Sequence, residues 1–375
     1  MRIVLAPDSF KGSLSQVEAS EAMQQALKEI CPDITCTLKP MADGGEGTLE
    51  VCQIGRGDVS LHTVPVTSPQ GEERTASIGI SADGVAIIEM AGIAGLGLVP
   101  REKWNPKNMT TYGVGEAITY ALEQGVHRII VGLGGSITND GGLGLLQALG
   151  ATIHGEEVNL ARPLRGRDLS FVHTVDLSTI DSRIFEVDII IASDVTNPLY
   201  GEHGATYVFA PQKGANPEGL KMMDEWMERY VKTIIGTSAD PDAIALVEGA
   251  GAAGGLGFAL LLLRGRMKQG AQVVGDMIGL DAAIQQADLI ITGEGKTDRQ
   301  TLRGKAPYYV AKRGKHFSVP VVLVSGTIED IDELQTYFQD VYALVSAEVS
   351  TEQAMQEARV RLTTRIKHIF RRKTK

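Results

Sequence analysis

The chain has 375 residues, 43% hydrophobic and 22% charged, the balance of a soluble globular protein with enough length for two domains. Its 36 basic and 46 acidic residues leave a net charge of −10, which argues against a general nucleic-acid binder, and aromatics at 5% argue against base-stacking platforms. Cys31, Cys36 and Cys52 are odd in number and form no C-x-x-C, and no H-E-x-x-H occurs, so neither a disulfide framework nor a zinc site is expected.

The N-terminal M-R-I-V-L-A-P-D leads straight into a strand at Ile3–Ala6, so no signal peptide is expected. The apolar run near Leu256–Leu263 falls far short of the ~20 residues of a membrane span. A cytoplasmic protein is the expectation. The first strand ends at Pro7-Asp8-Ser9-Phe10-Lys11-Gly12-Ser13. Ser13 or Ser15 can cap a helix to about Ile30, stopped by Pro32, with Glu18 three residues after Ser15 completing a capping box. A second strand near Thr35–Leu38 ends at Asp43-Gly44-Gly45-Glu46-Gly47-Thr48. Strand, helix and strand in about forty residues make a βαβ unit with parallel strands.

From about residue 60 the texture changes. Val59–Val66, Thr75–Ile80 and Val85–Met90 are short strands between turn signals, Asp83-Gly84 being a hairpin signal, and an antiparallel arrangement is expected. A helix follows over about Thr111–Gln124, closed by Gly125. The strand Arg128–Leu133 ends at Gly134-Gly135-Ser136-Ile137-Thr138-Asn139-Asp140. The strand Asp188–Ala192 ends at Ser193-Asp194-Val195-Thr196-Asn197. Pro217 to about Ile235 reads as an amphipathic helix.

Gly249–Gly257 opens with G-x-G-x-x-G and precedes an apolar helix. A dinucleotide site needs a strand before that motif and an acidic strand end ~20 residues later. Ala243–Val247 is a poor strand and Asp276 follows none, so that site is not expected. Glycine amides at a helix start remain candidates for holding phosphate, against a plain alternative of close helix packing.

Leu289–Thr292 is a short buried strand that stops at Gly293-Glu294-Gly295 and delivers Lys296, Thr297, Asp298 and Arg299 within four positions. An open α/β sheet builds its site at such carboxyl edges. Thr301–Pro307 leads into a helix, Pro320–Val324 and Val341–Val345 are the last strands, and a basic-ended helix closes the chain. The strands at Ile3, Thr35, Leu289, Pro320 and Val341 predict a flavodoxin-like parallel sheet made from both chain ends, residues 1–60 plus 286–375. Residues 61–285 would be an inserted mixed α/β domain, with the active site in the cleft between the two.

Seven stretches carry a resemblance: A-P-D-S-F-K-G-S-L (6–14), A-D-G-G-E-G-T (42–48), G-G-S-I-T-N-D-G-G (134–142), A-S-D-V-T-N-P-L (192–199), F-A-P-Q-K-G-A (209–215), G-A-G-A-A-G-G-L-G (249–257) and T-G-E-G-K-T-D-x-Q-T-L-x-G-K (292–305). Together they resemble the bacterial type-1 glycerate kinase family over nearly the whole chain. The resemblance implies phosphorylation of D-glycerate with ATP and Mg²⁺, leaning toward 2-phosphoglycerate. It also implies a two-domain α/β fold.

Phosphoryl transfer needs phosphate-holding amides, a carboxylate-held metal, cations on the moving charge and an acid–base group at the hydroxyl. There is no Walker A motif, since Ile290 stands where its first glycine belongs. The amides are then expected from Gly134, Gly135 and Ser136, or from Gly249, Gly251, Gly254 and Gly255. Asp194, ending a buried strand, is the favoured base, with Glu294 and Lys296 as further catalytic candidates. Ser9, Lys11, Asp43, Arg303 and Lys305 are candidates for the substrate, and Asp43, Glu46 and Asp298 for the metal. Asp140 and Lys213 belong to the same pools of acids and cations. A nucleotide-binding oxidoreductase and a non-catalytic ligand-binding protein are the alternative readings, and oligomeric state is not legible.

Overall fold

The structure is a computed structural model and describes residues 1–299, 301–329, 331–346 and 349–373, with the side chains of residues 303, 331, 332, 372 and 373 outside that description. The chain divides into two compact units. Unit 1 is Met1–Asp43, Glu50–Gly57 and Ala271–Lys375, and unit 2 is Gly44–Leu49 and Asp58–Gly270. Among the described residues no helix is long and apolar enough to cross a membrane.

Unit 1 is built on a five-stranded sheet in the order Thr35–Leu38, Arg2–Leu5, Leu289–Thr297, Val321–Ile328, Asp340–Ala343, every pair parallel. Counted along the unit's own chain this is 2-1-3-4-5, the flavodoxin-like order expected from the sequence. The strands are nearly all apolar because both faces are covered. Their period of two divides the residues cleanly. Ile3, Leu5, Leu289, Ile291, Val322 and Val324 pack on one side with Met23 and Leu27 of the Gln16–Ile30 helix and Leu362 and Ile366 of the last helix. Val4, Ile290, Val321 and Leu323 pack on the other with Val51, Val310 and Ala311. The Ser15–Glu18 capping box starts the first helix as expected, with both halves of the reciprocal bonding formed.

Unit 2 carries a six-stranded mixed sheet in the order Arg266–Lys268, Asp188–Ala192, Arg128–Gly132, Val85–Glu89, Glu73–Ser81, Val59–Thr67. Three strands at one edge form the expected antiparallel meander. Val85–Glu89, however, pairs in parallel with Arg128–Gly132 on its other side, joined through the helix Tyr112–Glu123. A second sheet joins Ile234–Ile235, Val172–Asp176 and Thr152–Gly155.

That second sheet corrects the long helix expected over Pro217–Ile235. The α-helix runs only over Leu220–Val231. Thr233, Ile234 and Ile235 are β-branched, and the last two pair with Val175 and Asp176. β-branched side chains are stiff in a helix and fit a pleated edge, and a strand partner was on offer.

Candidate active site

In unit 1 the loops after the parallel strands converge on a cavity of about 270 Å³. Asp8, Ser9 and Lys11 come from the loop after Arg2–Leu5, and Asp43 from the segment after Thr35–Leu38. Glu294 and Lys296 come from the end of Leu289–Thr297, and Lys305 from the N-cap of the helix Ala306–His316. Six of the residues expected for substrate or catalysis thus line one cavity: Ser9, Lys11, Asp43, Glu294, Lys296 and Lys305. The Arg303 side chain lies outside the described residues.

Backbone pairing holds the two main loops together. Asp8 N donates to Gly293 O at 2.8 Å and Gly295 N to Ser9 O at 3.2 Å. Gly293 is required by this approach. A Cβ there would stand 2.1 Å from Val324 O and 3.2 Å from the Phe10 ring. Glycine is therefore the residue that lets the strand deliver Glu294 between its neighbours.

Asp8 was not among the residues expected from the sequence to act, yet it has the most altered chemistry in the cavity. It is 7% exposed, and its carboxyl is pushed up to about 7 by burial first, then by the charges of Asp43 and Glu294. Ser9 N, donating to Oδ1 at 2.6 Å, and Lys11 pull the other way. The one sequence signal for Asp8 was its place directly after a buried strand, beside two residues already suspected.

Glu294 is 5% exposed. Its Oε1 accepts from Thr297 Oγ1 at 2.9 Å and from Thr301 Oγ1 at 2.7 Å. Thr297 Oγ1 has spent its proton on Glu294, so Ser325 Oγ is the donor in the 2.6 Å contact between the two hydroxyls. Burial raises the Glu294 carboxyl above its usual range, opposed by these hydroxyls and by Lys305. Lys296 is exposed and forms ion pairs with Glu329 at 3.0 Å and Asp298 at 3.7 Å. Among the described residues no group of three or more His, Cys, Asp or Glu is placed to hold a metal ion. Asp43, Glu46 and Asp298 are therefore not a ready-made cage.

In unit 2, Asp194 is exposed, and its Oδ1 accepts from Gly270 N at 3.0 Å. Asp140 is fully buried and accepts from Thr111 N and Oγ1 and from the amides of Gly142 and Gly144, so it organises the backbone around it. The turn at Gly134-Gly135-Ser136 presents Gly135 to solvent with φ +74°.

The Gly249–Gly257 stretch follows the short helix Pro241–Ala245 and no strand, which removes the dinucleotide motif's required context. Its glycines meet protein backbone. A Cβ on Gly251 would lie 2.3 Å from Pro198 O, on Gly254 2.1 Å from Thr138 O, and on Gly255 2.6 Å from Gly141 Cα. Close packing accounts for all three. Gly254→Ala, with φ +69° besides, is expected to cost about 2–4 kcal/mol in urea unfolding. An unchanged unfolding midpoint would return this glycine to a ligand-binding role.

Comparison with known proteins covers nearly the whole chain. The profile of the glycerate kinase family matches residues 3–374. The chain is 42% identical to a glycerate kinase of Bacillus subtilis (strain 168) over 369 residues, 96% of this chain and 94% of that one. It is 42% identical to a glycerate 2-kinase of Escherichia coli (strain K12) over 335 residues, 88% and 86% of the two chains. A crystal structure from Salmonella typhimurium LT2, designated a glycerate kinase 2, superposes with a TM-score of 0.84 at 38% identity, covering 98% of this chain and 97% of that one.

Proposed function

The chain belongs to the glycerate kinase family, and from that premise we propose that it transfers the γ-phosphoryl group of ATP to the 2-hydroxyl of D-glycerate. The observation that carries the reading is the cavity of unit 1, where three carboxylates and three lysines surround a space suited to a small anionic hydroxy acid. Asp8 acts as the base. Its carboxyl, held near 7, is ionised in a useful fraction at neutral pH and still basic enough to take a hydroxyl proton. The hydroxyl oxygen forms its bond to the γ-phosphorus as the bond to ADP breaks, and the proton passes to Asp8. Asp194, expected from the sequence to be the base, is not retained in that role, because it is exposed and bound to the Gly270 amide.

Lys11 faces Asp8 and takes the acceptor's carboxylate, while Ser9 lines the same loop. Glu294, with one oxygen engaged by two threonines, receives the acceptor's other hydroxyl on its second oxygen, and Lys305 balances its charge. Lys296 lines this cavity and, paired with Asp298 at 3.7 Å, serves the developing charge. In unit 2 the donor phosphates are assigned to the turn Gly134-Gly135-Ser136 at Gly135, which leaves the backbone open to an anion while the Gly134 amide is held by Gly44 O at 3.2 Å. Mg²⁺ bound to the triphosphate would neutralise charge on the transferring group, and Asp43 is the cavity carboxylate that would complete its shell.

Two measurements test the reading. ADP release should depend on D-glycerate. The product, given to enolase alone, should yield phosphoenolpyruvate at once. A signal that appears only after a phosphoglycerate mutase is added would mean the 3-hydroxyl is the acceptor.

A further inference from the structure

The segment after the strand Arg128–Gly132 is unusual for a loop. Residues 136–142, up to the start of the helix Leu143–Ala148, are all buried, and only Gly134 and Gly135 approach the surface. Connecting segments normally run over the surface, because buried backbone groups need partners. Here the partners are supplied from within. Asp140 collects four donors at the far end of the segment. Lys213, from the short 3₁₀ turn Pro211–Lys213, serves the near end. Its Nζ donates to Ser136 Oγ at 2.8 Å and to Thr138 O at 2.8 Å.

Lys213 is 3% exposed and forms no ion pair among the described residues. Burial pushes its ammonium down to about 7, with Asp140 the one charge that favours the proton. An unpaired buried amine is costly, and a methionine of the same stem length would fill the space without that cost. The amine does one thing a methionine cannot. It ties the side chain of Ser136 to the carbonyl of Thr138 and so fixes the inner side of the turn whose outer side is Gly135.

We propose that Lys213 is a positioning residue that fixes the Gly134–Ser136 turn in the conformation that receives the donor's phosphates. The inference rests on the assignment of that turn to the triphosphate. Lys213 does not itself reach the nucleotide, since its stem and head are enclosed. It acts by holding Ser136 and Thr138 against drift, so that the exposed Gly135 backbone meets the phosphates without a cost of ordering.

The test is steady-state kinetics with ATP and D-glycerate on three variants of the whole chain. Lys213→Met is expected to raise the KM for ATP by about tenfold, the effect of losing a charge-assisted hydrogen bond, and to leave the KM for glycerate within about twofold. A purely structural role would lower the active fraction and the melting temperature and leave both KM values unchanged, which overturns the inference. If Lys213→Met fails to fold, Lys213→Gln decides. Its amide keeps donors but reaches only one of the two acceptors, so the ATP KM should rise by several-fold alone. Unchanged values, or equal rises in both, overturn the inference. Gly135→Asp separates this inference from its premise. Aspartate tolerates the left-handed backbone and opposes phosphate by charge. If it leaves the ATP KM unchanged, the turn does not receive the triphosphate and the assignment itself fails. If it raises the ATP KM while the Lys213 variants do not, only the role of Lys213 fails.

Discussion

Asp8→Asn is expected to lower kcat by about 10²–10⁴-fold, the usual contribution of a positioned base. The amide is nearly isosteric and can still accept from Ser9 N, so the loop keeps its shape. The wild-type pH profile carries the same signature. Below about 7 the Asp8 carboxyl is protonated and cannot accept a proton, so kcat/KM should fall tenfold per pH unit. Above that value the profile should level. The residual rate of Asp8→Asn should lack this limb.

Stability separates a lost base from a lost fold. A carboxyl raised in the folded state favours folding while protonated, and that contribution is lost as pH rises from about 3.8 through about 7. At pH 8 the wild type therefore bears the burial of a charge, and Asp8→Asn does not. Its melting temperature should equal or exceed that of the wild type. A variant with near-normal kcat, or one whose residual rate keeps the acid limb, removes Asp8 from the proton transfer.

Lys11→Met is expected to raise the KM for glycerate by about 30-fold or more, with the KM for ATP little changed. A carboxylate desolvated without its cation costs about 2–5 kcal/mol, which sets that scale. Lys11 is preferred to Lys305 for a chemical reason. The carboxylate of glycerate is one carbon from the 2-hydroxyl, so its cation must stand near the base. Lys11 is the lysine whose charge acts on Asp8, while Lys305 acts on Glu294. If Lys305→Met raises the glycerate KM and Lys11→Met does not, the assignments exchange. If Lys11→Met raises the ATP KM alone, Lys11 serves the triphosphate.

Six lining residues were legible because strand ends are legible. Leu289–Thr292 is apolar and too short for a helix, and it stops at a glycine–carboxylate–glycine turn. The same pattern after Ile3–Ala6 named Ser9 and Lys11. The glycine stretch at 249–257 left two readings open for the opposite reason. Glycine serves equally where a ligand approaches the backbone and where another backbone does, and the choice depends on what lies opposite. At Gly251 and Gly254 that neighbour is a carbonyl of Pro198 or Thr138, far off in sequence.

The sequence by itself determined the fold class, the flavodoxin-like sheet drawn from both chain ends, the capping box at Ser15 and the family. Each is written in local periodicity or in contiguous motifs, which need no knowledge of distant partners. The tertiary structure alone decided the chemistry of individual groups. The Asp8 carboxyl is raised to about 7 only because water is kept out and because Asp43 and Glu294 are brought to it from 35 and 286 positions away. Lys213 becomes a buried tie only because the chain folds over it, at Ser136 and Thr138. The strand at Ile234–Ile235 exists because Val175 and Asp176 offer it a partner. Desolvation, charge proximity and strand pairing are properties of three-dimensional neighbourhoods, and no local pattern of residues encodes them.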